Sequence, residues 1–300
     1  MLRSILRSGS DADVAKAVDY AKCIKLYPLS QAANPPATTF VDAINSVYDS
    51  TIPYDLRFFQ SLDRIVQTEP WLPRDKLMID MLKSIGIEKG KPFSPDAKSQ
   101  DILNSAAREA HALLESRYEG MFAPYFDNSR WALPGSSDYL NASKDGFSDP
   151  DEYPVDSRGL IFTFAFFTPK HLGEGQFYLM TVKDKNGQSF DGSKNYRLTV
   201  PADAPVRQYW SATVYDRATH GLIRDMPRSG RGSQSQGLQK NTGGSVDIYF
   251  GPKAPPGKES NWVPTNPSGQ FEVLFRFYGP DQPLFDKMWK LPDIEQITAQ

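Results

Sequence analysis

The sequence predicts an α+β protein: an all-helical N-terminal domain followed by an antiparallel β-sandwich of jelly-roll type. Three observations predict it. Apolar residues recur with the helical period up to about residue 125 and with the strand period from about Tyr153 onward. The chain has 300 residues, enough for one large or two ordinary domains. Its 24 prolines, 18 Phe and 14 Tyr suit short helices broken by proline turns and aromatic strands joined by loops.

In the helical part, Asp11–Cys23 reads as an amphipathic helix with Val14, Ala17, Val18 and Ala21 on one stripe, capped by Ser10 or Asp11. Asn34-Pro35-Pro36 is a rigid extended lead-in. Thr39, with Asp42 three residues on, has capping-box spacing for a helix bearing Phe40, Ile44 and Val47. Pro53 opens the next helix, Tyr54–Thr68. A third runs over Arg74–Ile85, with Leu77, Met78, Met81, Leu82 and Ile85 inward and Gly86 as its stop. Ser94-Pro95-Asp96 places a cap and then proline at the first position of the longest helix, about Asp96–Tyr118.

Beyond Tyr153 the aromatic run Leu160–Thr168 reads as a strand. Phe177–Val182 and Tyr196–Val200 flank Asp184-Lys185-Asn186-Gly187, a hairpin turn signal. Further strands are predicted at Val206–Tyr215, Leu222–Arg224, Ser245–Phe250 and Phe271–Tyr278. Pro227–Gly237 is a long loop of flexible composition, either a mobile surface loop or a lid.

Composition excludes several functions. Lys+Arg 34 against Asp+Glu 36 leaves no basic excess, so no nucleic-acid partner is expected. A single cysteine, Cys23, cannot form an intrachain disulfide. Three histidines far apart give no metal-ligand spacing, and no cofactor motif is present, so neither metal nor cofactor is expected. No apolar run approaches the roughly 18 residues of a membrane-spanning segment. The residues Met1–Arg7 lack a signal-peptide core, so the chain as written reads as cytoplasmic.

Individual motifs are weak. His111 with Glu115 reads as a salt-bridged solvent face of the long helix in preference to a partial metal or acid/base pair. Asp184–Asp191 reads as a turn more readily than a calcium loop, since it lacks a bidentate glutamate. His171 and His220 fall in predicted loops. His220 with Asp216 and Tyr215 is the one acid/base grouping of short spacing.

Strand alternation carries more. In Val206–Tyr215, Trp210, Ala212 and Val214 face one way, and Arg207, Tyr209, Ser211, Thr213 and Tyr215 the other. Asp247 and Tyr249 lie opposite Val246, Ile248 and Phe250. Glu272, Arg276 and Tyr278 lie opposite Phe271, Val273, Phe275 and Phe277. If these strands are neighbours, the face is a wall of tyrosine, arginine and carboxylate suited to a polar ligand. The other readings are a solvated sheet face or one covered by the helices. Trp262, in the loop Asn261-Trp262-Val263-Pro264, either stacks on a ligand or plugs the end of the core.

Three segments carry a family resemblance: QYWSATVYDRATHGLIRDMPR (Gln208–Arg228), GSVDIYFGPKAPPGKESNWVPT (Gly244–Thr265) and FEVLFRFYGPDQPLFDKMWKLPDIE (Phe271–Glu295). They resemble the bacterial domain-of-unknown-function 1214 family, in which this module follows a helical region and a domain of unknown function 1254. KLYPLSQAANPPATTFVDAINSVYD (Lys25–Asp49) and TFAFFTPKHLGEGQFYLMTVKD (Thr163–Asp184) look like the same proteins. The resemblance implies a remnant of an upstream domain and linker helix over 1–33, a helical domain over 34–150 and the sandwich over 151–300. It implies a chain lacking most of the 1254 domain, with a periplasmic or envelope location if the full gene carries an export signal. It supplies no catalytic residue.

The leading expectation is therefore a protein that binds a polar small molecule or glycan through Arg207, Tyr209, Tyr215, Asp247, Tyr249, Trp262, Glu272, Arg276 and Tyr278. The alternatives are a metal-independent hydrolase or lyase using the same carboxylates and tyrosines, and a structural envelope protein whose polar face is an interdomain or homo-oligomer contact.

Overall fold

The computed structural model of the chain describes residues 10–43, 46, 51–120, 122, 124–149, 151, 154–165 and 175–298. It divides into two compact units, Met1–Asp49 and Ser50–Gln300. Helices dominate the N-terminal part and antiparallel sheets the C-terminal part.

In the first unit, α1 (Asp11–Lys22) forms where expected, with the Ser10 side chain accepting the Asp13 N–H at 3.3 Å. It buries none of its residues. Thr39–Ala43 are not helical, contrary to the capping-box reading. Phe40 and Val41 stand 49% and 83% exposed, so no buried face offsets the cost of nucleating a helix there. Ile44 and Val47 lie outside the described residues.

In the second unit, α2 (Leu56–Thr68) is capped by Asp55, whose carboxylate accepts the Arg57 N–H. Pro53 therefore lies before the cap and not at the first helical position. A 3-10 turn, Pro73–Asp75, leads into a short α3 (Lys76–Met81), and a second 3-10 turn, Leu82–Ile85, ends at Gly86 with φ +86°. Leu77 and Met81 are 74% and 66% exposed, which overturns their inward assignment. The long α4 (Ala97–Tyr118) is capped by Asp96 itself, accepting the Ser99 N–H at 2.7 Å, and Pro95 precedes the cap. The Leu56 N–H donates to Asn104 Oδ1 and ties α2 to α4. An unexpected α5 (Ser137–Lys144) is capped by Ser136.

The aromatic run read as a strand is instead part of α6 (Val155–Ala165), with residues 166–168 outside the described set. A short apolar run fits a buried helix as well as a buried strand. Here Pro154 leads in, and its carbonyl accepts the Arg158 N–H at 2.9 Å.

Among the described residues eight strands follow: β1 (Gln176–Thr181), β2 (Asn195–Val200), β3 (Val206–Asp216), β4 (Gly230–Gly232), β5 (Val246–Gly251), β6 (Trp262–Pro264), β7 (Phe271–Pro280) and β8 (Glu295–Ile297). They form two four-stranded sheets, ordered β1-β7-β3-β4 and β6-β5-β2-β8. All pairs are antiparallel except β5 with β6, which is parallel. Inward side chains of both sheets share one core. Trp210, Ala212, Val214, Val273, Phe275 and Phe277 come from the first, Tyr196, Leu198, Ile248 and Phe250 from the second.

Three strand expectations change. The turn at Asp184–Gly187 forms, with the Gly187 N–H donating to the Asp184 carbonyl at 2.8 Å and φ +81° at Gly187. Asp184 Oδ1 accepts the Asn186 and Gln188 N–H groups, the turn role expected in place of calcium binding. Yet β1 and β2 do not pair with each other and belong to different sheets. Leu222–Arg224 contributes only a single bridge from Leu222 to Tyr215. The supposed flexible loop Pro227–Gly237 contains β4, anchored on β3.

Candidate functional site

The candidate site is the outer face of the sheet β1-β7-β3-β4. Its register sets side chains in rows. Tyr178, Arg276, Ser211 and Gly232 form one row, since Arg276 pairs with both Tyr178 and Ser211, and Ser211 with Gly232. Tyr209 and Tyr278 form the next, and their rings stack at 4.1 Å between centroids, 18° from parallel. Burial and the Tyr278 hydrogen bond push the Tyr209 phenol up to about 12. Arg276 donates to Thr213 Oγ1 at 2.8 Å and to the Tyr215 hydroxyl. Its guanidinium lies 5.5 Å from the Tyr178 ring and 5.6 Å from that of Tyr215, where the ring quadrupoles favour a cation. Beside these groups is an open recess of about 390 Å³, floored by Tyr209, Ser211 and Thr213 and rimmed by Ser229–Gly232 and Ser235.

Glycine is required on the rim. A Cβ on Gly232 would meet the Trp210 carbonyl oxygen at 2.4 Å, and one on Gly230 the Ala212 carbonyl oxygen at the same distance. The bare backbone of β4 thus lets the strand lie close on β3.

The other end of the same face is covered. Glu272 precedes Leu274 and Arg276 on the outward side of β7, and only 2% of it is exposed. Tyr118, at the end of α4, donates its hydroxyl to Glu272 Oε2 at 2.8 Å. His220 Nδ1 stands 3.0 Å from Glu272 Oε1, and its Nε2 stands 3.1 Å from Glu115 Oε1. Arg217 donates to Glu115 Oε2 at 2.7 Å and lies 4.4 Å over the Tyr118 ring. Burial alone would raise the Glu115 carboxyl, but its hydrogen bonds from His220 and Arg217 outweigh that and hold it below its ordinary value. Burial, then the Glu272 charge, drives the Tyr118 phenol well up. This is a buried ionic knot that ties α4 to the sheet.

The sequence missed this knot. His220 does engage in acid/base contacts, though not with its sequence neighbours. Asp216 spends its carboxylate on the Ala218 and Thr219 N–H groups of its own turn, and Tyr215 faces Arg276. The His111–Glu115 pair is not a plain solvent face either. Glu115 reaches His220 and Arg217 in the turn that follows β3, and the His111 ring stacks on Tyr54 at 3.7 Å. The available signal was His111, Glu115 and Tyr118 at i, i+4 and i+7 on one stripe of α4. His171 lies outside the described residues.

The remaining expected residues separate. Arg207 is exposed at the start of β3, with Nε 3.4 Å from Asp281. Asp247, Tyr249 and Trp262 are on the other sheet, so the three strands do not make a single wall. There the register gives a row Trp262, Tyr249, Arg197, Glu295 across β6, β5, β2 and β8. Asp247 accepts the Thr199 hydroxyl at 2.6 Å. Burial and then Asp247 raise the Tyr249 phenol. Trp262 starts a strand, and its indole N–H donates to the Gly251 carbonyl at 2.9 Å. Among the described residues, no His, Cys, Asp and Glu group is arranged to hold a metal ion, and no helix is long and apolar enough to cross a membrane.

Comparison with known proteins gives a domain and no activity. No curated protein matches the chain. Among solved structures it is similar to the VPA0106 protein of Vibrio parahaemolyticus, at 21% identity and a TM-score of 0.45 over 96% of this chain and 66% of that one. It is also similar to an uncharacterized protein from Burkholderia cenocepacia, at 19% identity and a TM-score of 0.29 over 54% of this chain and 49% of that one. The chain thus spans less than two thirds of the length of each. Residues 175–282, which include every strand from β1 to β7, match the family described as "Protein of unknown function (DUF1214)".

Proposed function

We propose that the open half of the β1-β7-β3-β4 outer face binds a polar small molecule or glycan. The carrying observation is the stacked Tyr209–Tyr278 pair beside Arg276 and a recess of about 390 Å³. Flat aromatic rings offer apolar area at low entropic cost, and a guanidinium and hydroxyls supply directed hydrogen bonds. The ionic knot at the covered end fits a support role, holding α4 over the sheet and leaving the tyrosine end free. A hydrolase or lyase is less favoured, because among the described residues no carboxylate lines the recess and Glu272 is buried beneath Tyr118. We also read the two sheets as a jelly-roll sandwich and the preceding helices as the region that accompanies the 1254 domain in the family resembled.

The test is a thermal-shift screen of purified metabolites and glycans against the intact chain and its Tyr209→Ala and Arg276→Ala variants. A ligand that raises the Tm of the parent and not of the variants supports the reading, since binding to the native state alone stabilises it by mass action. Equal shifts in parent and variants place binding elsewhere and end it.

A further inference from the structure

Two glycines on the outer face help to open the recess. Gly230 pairs with Thr213 and Gly232 with Ser211, so these four residues share one side of the sheet. The glycines add no side chain there, and the space over β4 beside the Ser211 and Thr213 hydroxyls stays open. Arg231, between them, pairs with Ala212, a residue of the core, so alternation turns its side chain off this face. Arg276 does not line the recess. Its guanidinium is taken up by the Thr213 and Tyr215 hydroxyls and by two tyrosine rings.

The outer-face lining that remains is uncharged and rich in hydrogen-bonding groups. Ser211, Thr213, Ser229 and Ser235 bring hydroxyls, and Gln234 brings an amide. Among the described residues no Asp, Glu, Lys or His lines the recess. A hydroxyl both donates and accepts, as the hydroxyls of a sugar do. The Tyr209 ring, held by its stack on Tyr278, adds apolar surface at the floor. Burial and the Tyr278 hydrogen bond push its phenol up to about 12, so this group too is uncharged near neutrality. An ion entering such a lining gives up water and meets no opposite charge, which is costly. A neutral polyol exchanges its hydrogen bonds to water for those of the lining.

We propose, resting on the reading just given, that the recess takes a neutral sugar ring and discriminates against charged sugars. The C–H face of the ring lies on Tyr209, and its hydroxyls exchange hydrogen bonds with Ser211, Ser229, Ser235 and Gln234.

The experiment is titration calorimetry of the intact chain with the methyl glycosides of glucose, galactose and mannose, the uronate and the 2-amino sugar of each, and cyclohexanol as a ring with one hydroxyl. At least one neutral glycoside should bind about tenfold or more tightly than its charged counterparts, which lose water without gaining an opposite charge. Its affinity should not change with salt, since no charge is screened. Ser211→Ala should weaken it about three- to tenfold, the range of one neutral hydrogen bond. Gln234→Ala, at an exposed position, guards against a Ser211 variant that fails to fold, and the unliganded Tm of each variant reports folding. A charged sugar binding as tightly as its neutral partner would overturn the assignment and leave the binding face standing. Cyclohexanol binding as tightly as the glycosides would overturn the hydroxyl match. Full affinity in Ser211→Ala, Gln234→Ala and Tyr209→Ala would place the sugar elsewhere and end both readings. Absence of binding by every probe would overturn the sugar assignment, while the binding face is judged by the thermal-shift screen.

Discussion

Tyr118, the last residue of α4, donates its hydroxyl hydrogen to Oε2 of Glu272 on β7 at 2.8 Å, and both side chains are buried. The bond spans 154 positions of chain and joins the helical part of the larger unit to its sheet. With His220 and Arg217 it turns the covered end of the sheet face into a closed ionic contact.

Tyr118→Phe removes the donor and leaves a buried glutamate oxygen short of a partner. The expected loss is about 1–3 kcal/mol of unfolding free energy, the cost of a buried polar group stripped of one bond. Urea denaturation of parent and variant measures it. An unchanged midpoint would show that the bond contributes nothing.

The knot also sets an acid limit. The Glu115 carboxyl lies below its ordinary value in the folded chain, through its bonds from His220 and Arg217 and despite its burial. As pH falls, the unfolded chain therefore takes up this proton before the folded chain does. The stabilisation is complete above the ordinary glutamate range and is lost as pH drops through the lower folded value. In a plot of Tm against pH, Glu115→Gln should begin lower near neutrality and lose less on the acid side. Parallel curves would contradict the assignment.

At the open end, burial and the Tyr278 hydrogen bond push the Tyr209 phenol up to about 12. Ultraviolet titration of phenolate absorbance should show a late-titrating component that is smaller by one tyrosine in Tyr209→Phe. Tyr278→Phe should bring it to lower pH. A Tyr209→Phe difference spectrum that titrates at the ordinary tyrosine value would refute the tight pairing.

Gly232→Ala places a methyl 2.4 Å from the Trp210 carbonyl oxygen, so β4 has to shift away from β3. Overpacking of this kind typically costs about 1–3 kcal/mol. Lower Tm together with weaker ligand binding is the expected result. Full binding in the variant would show that the rim plays no part.

Local chemistry was readable in the sequence where it acts locally. Ser10 caps α1, Gly86 stops the second 3-10 turn, and Asp184–Gly187 forms its turn. Alternation also placed Tyr209, Arg276 and Tyr278 on one side of their strands, because side chains of a strand point alternately to its two faces. What periodicity does not encode is which strands become neighbours. It put Asp247 and Tyr249 on the same wall as Arg276, whereas pairing of β5 with β2 carried them to the other sheet. The knot was invisible for the same reason: His220 meets Glu272 and Glu115 across 52 and 105 positions. The helix over 155–165 was lost because its apolar run has no decisive period of its own.

On the proposed reading, ligand binds the tyrosine–arginine face of the first sheet and not the tryptophan–tyrosine row of the second. Amide hydrogen exchange of the intact chain, with and without a ligand found by thermal shift, tests it most directly. New protection is expected in Ser211–Tyr215 and Gly230–Gly232, the strands that floor and rim the recess. Protection confined to Arg197–Thr199 and Asp247–Tyr249, on the opposite sheet, would contradict it.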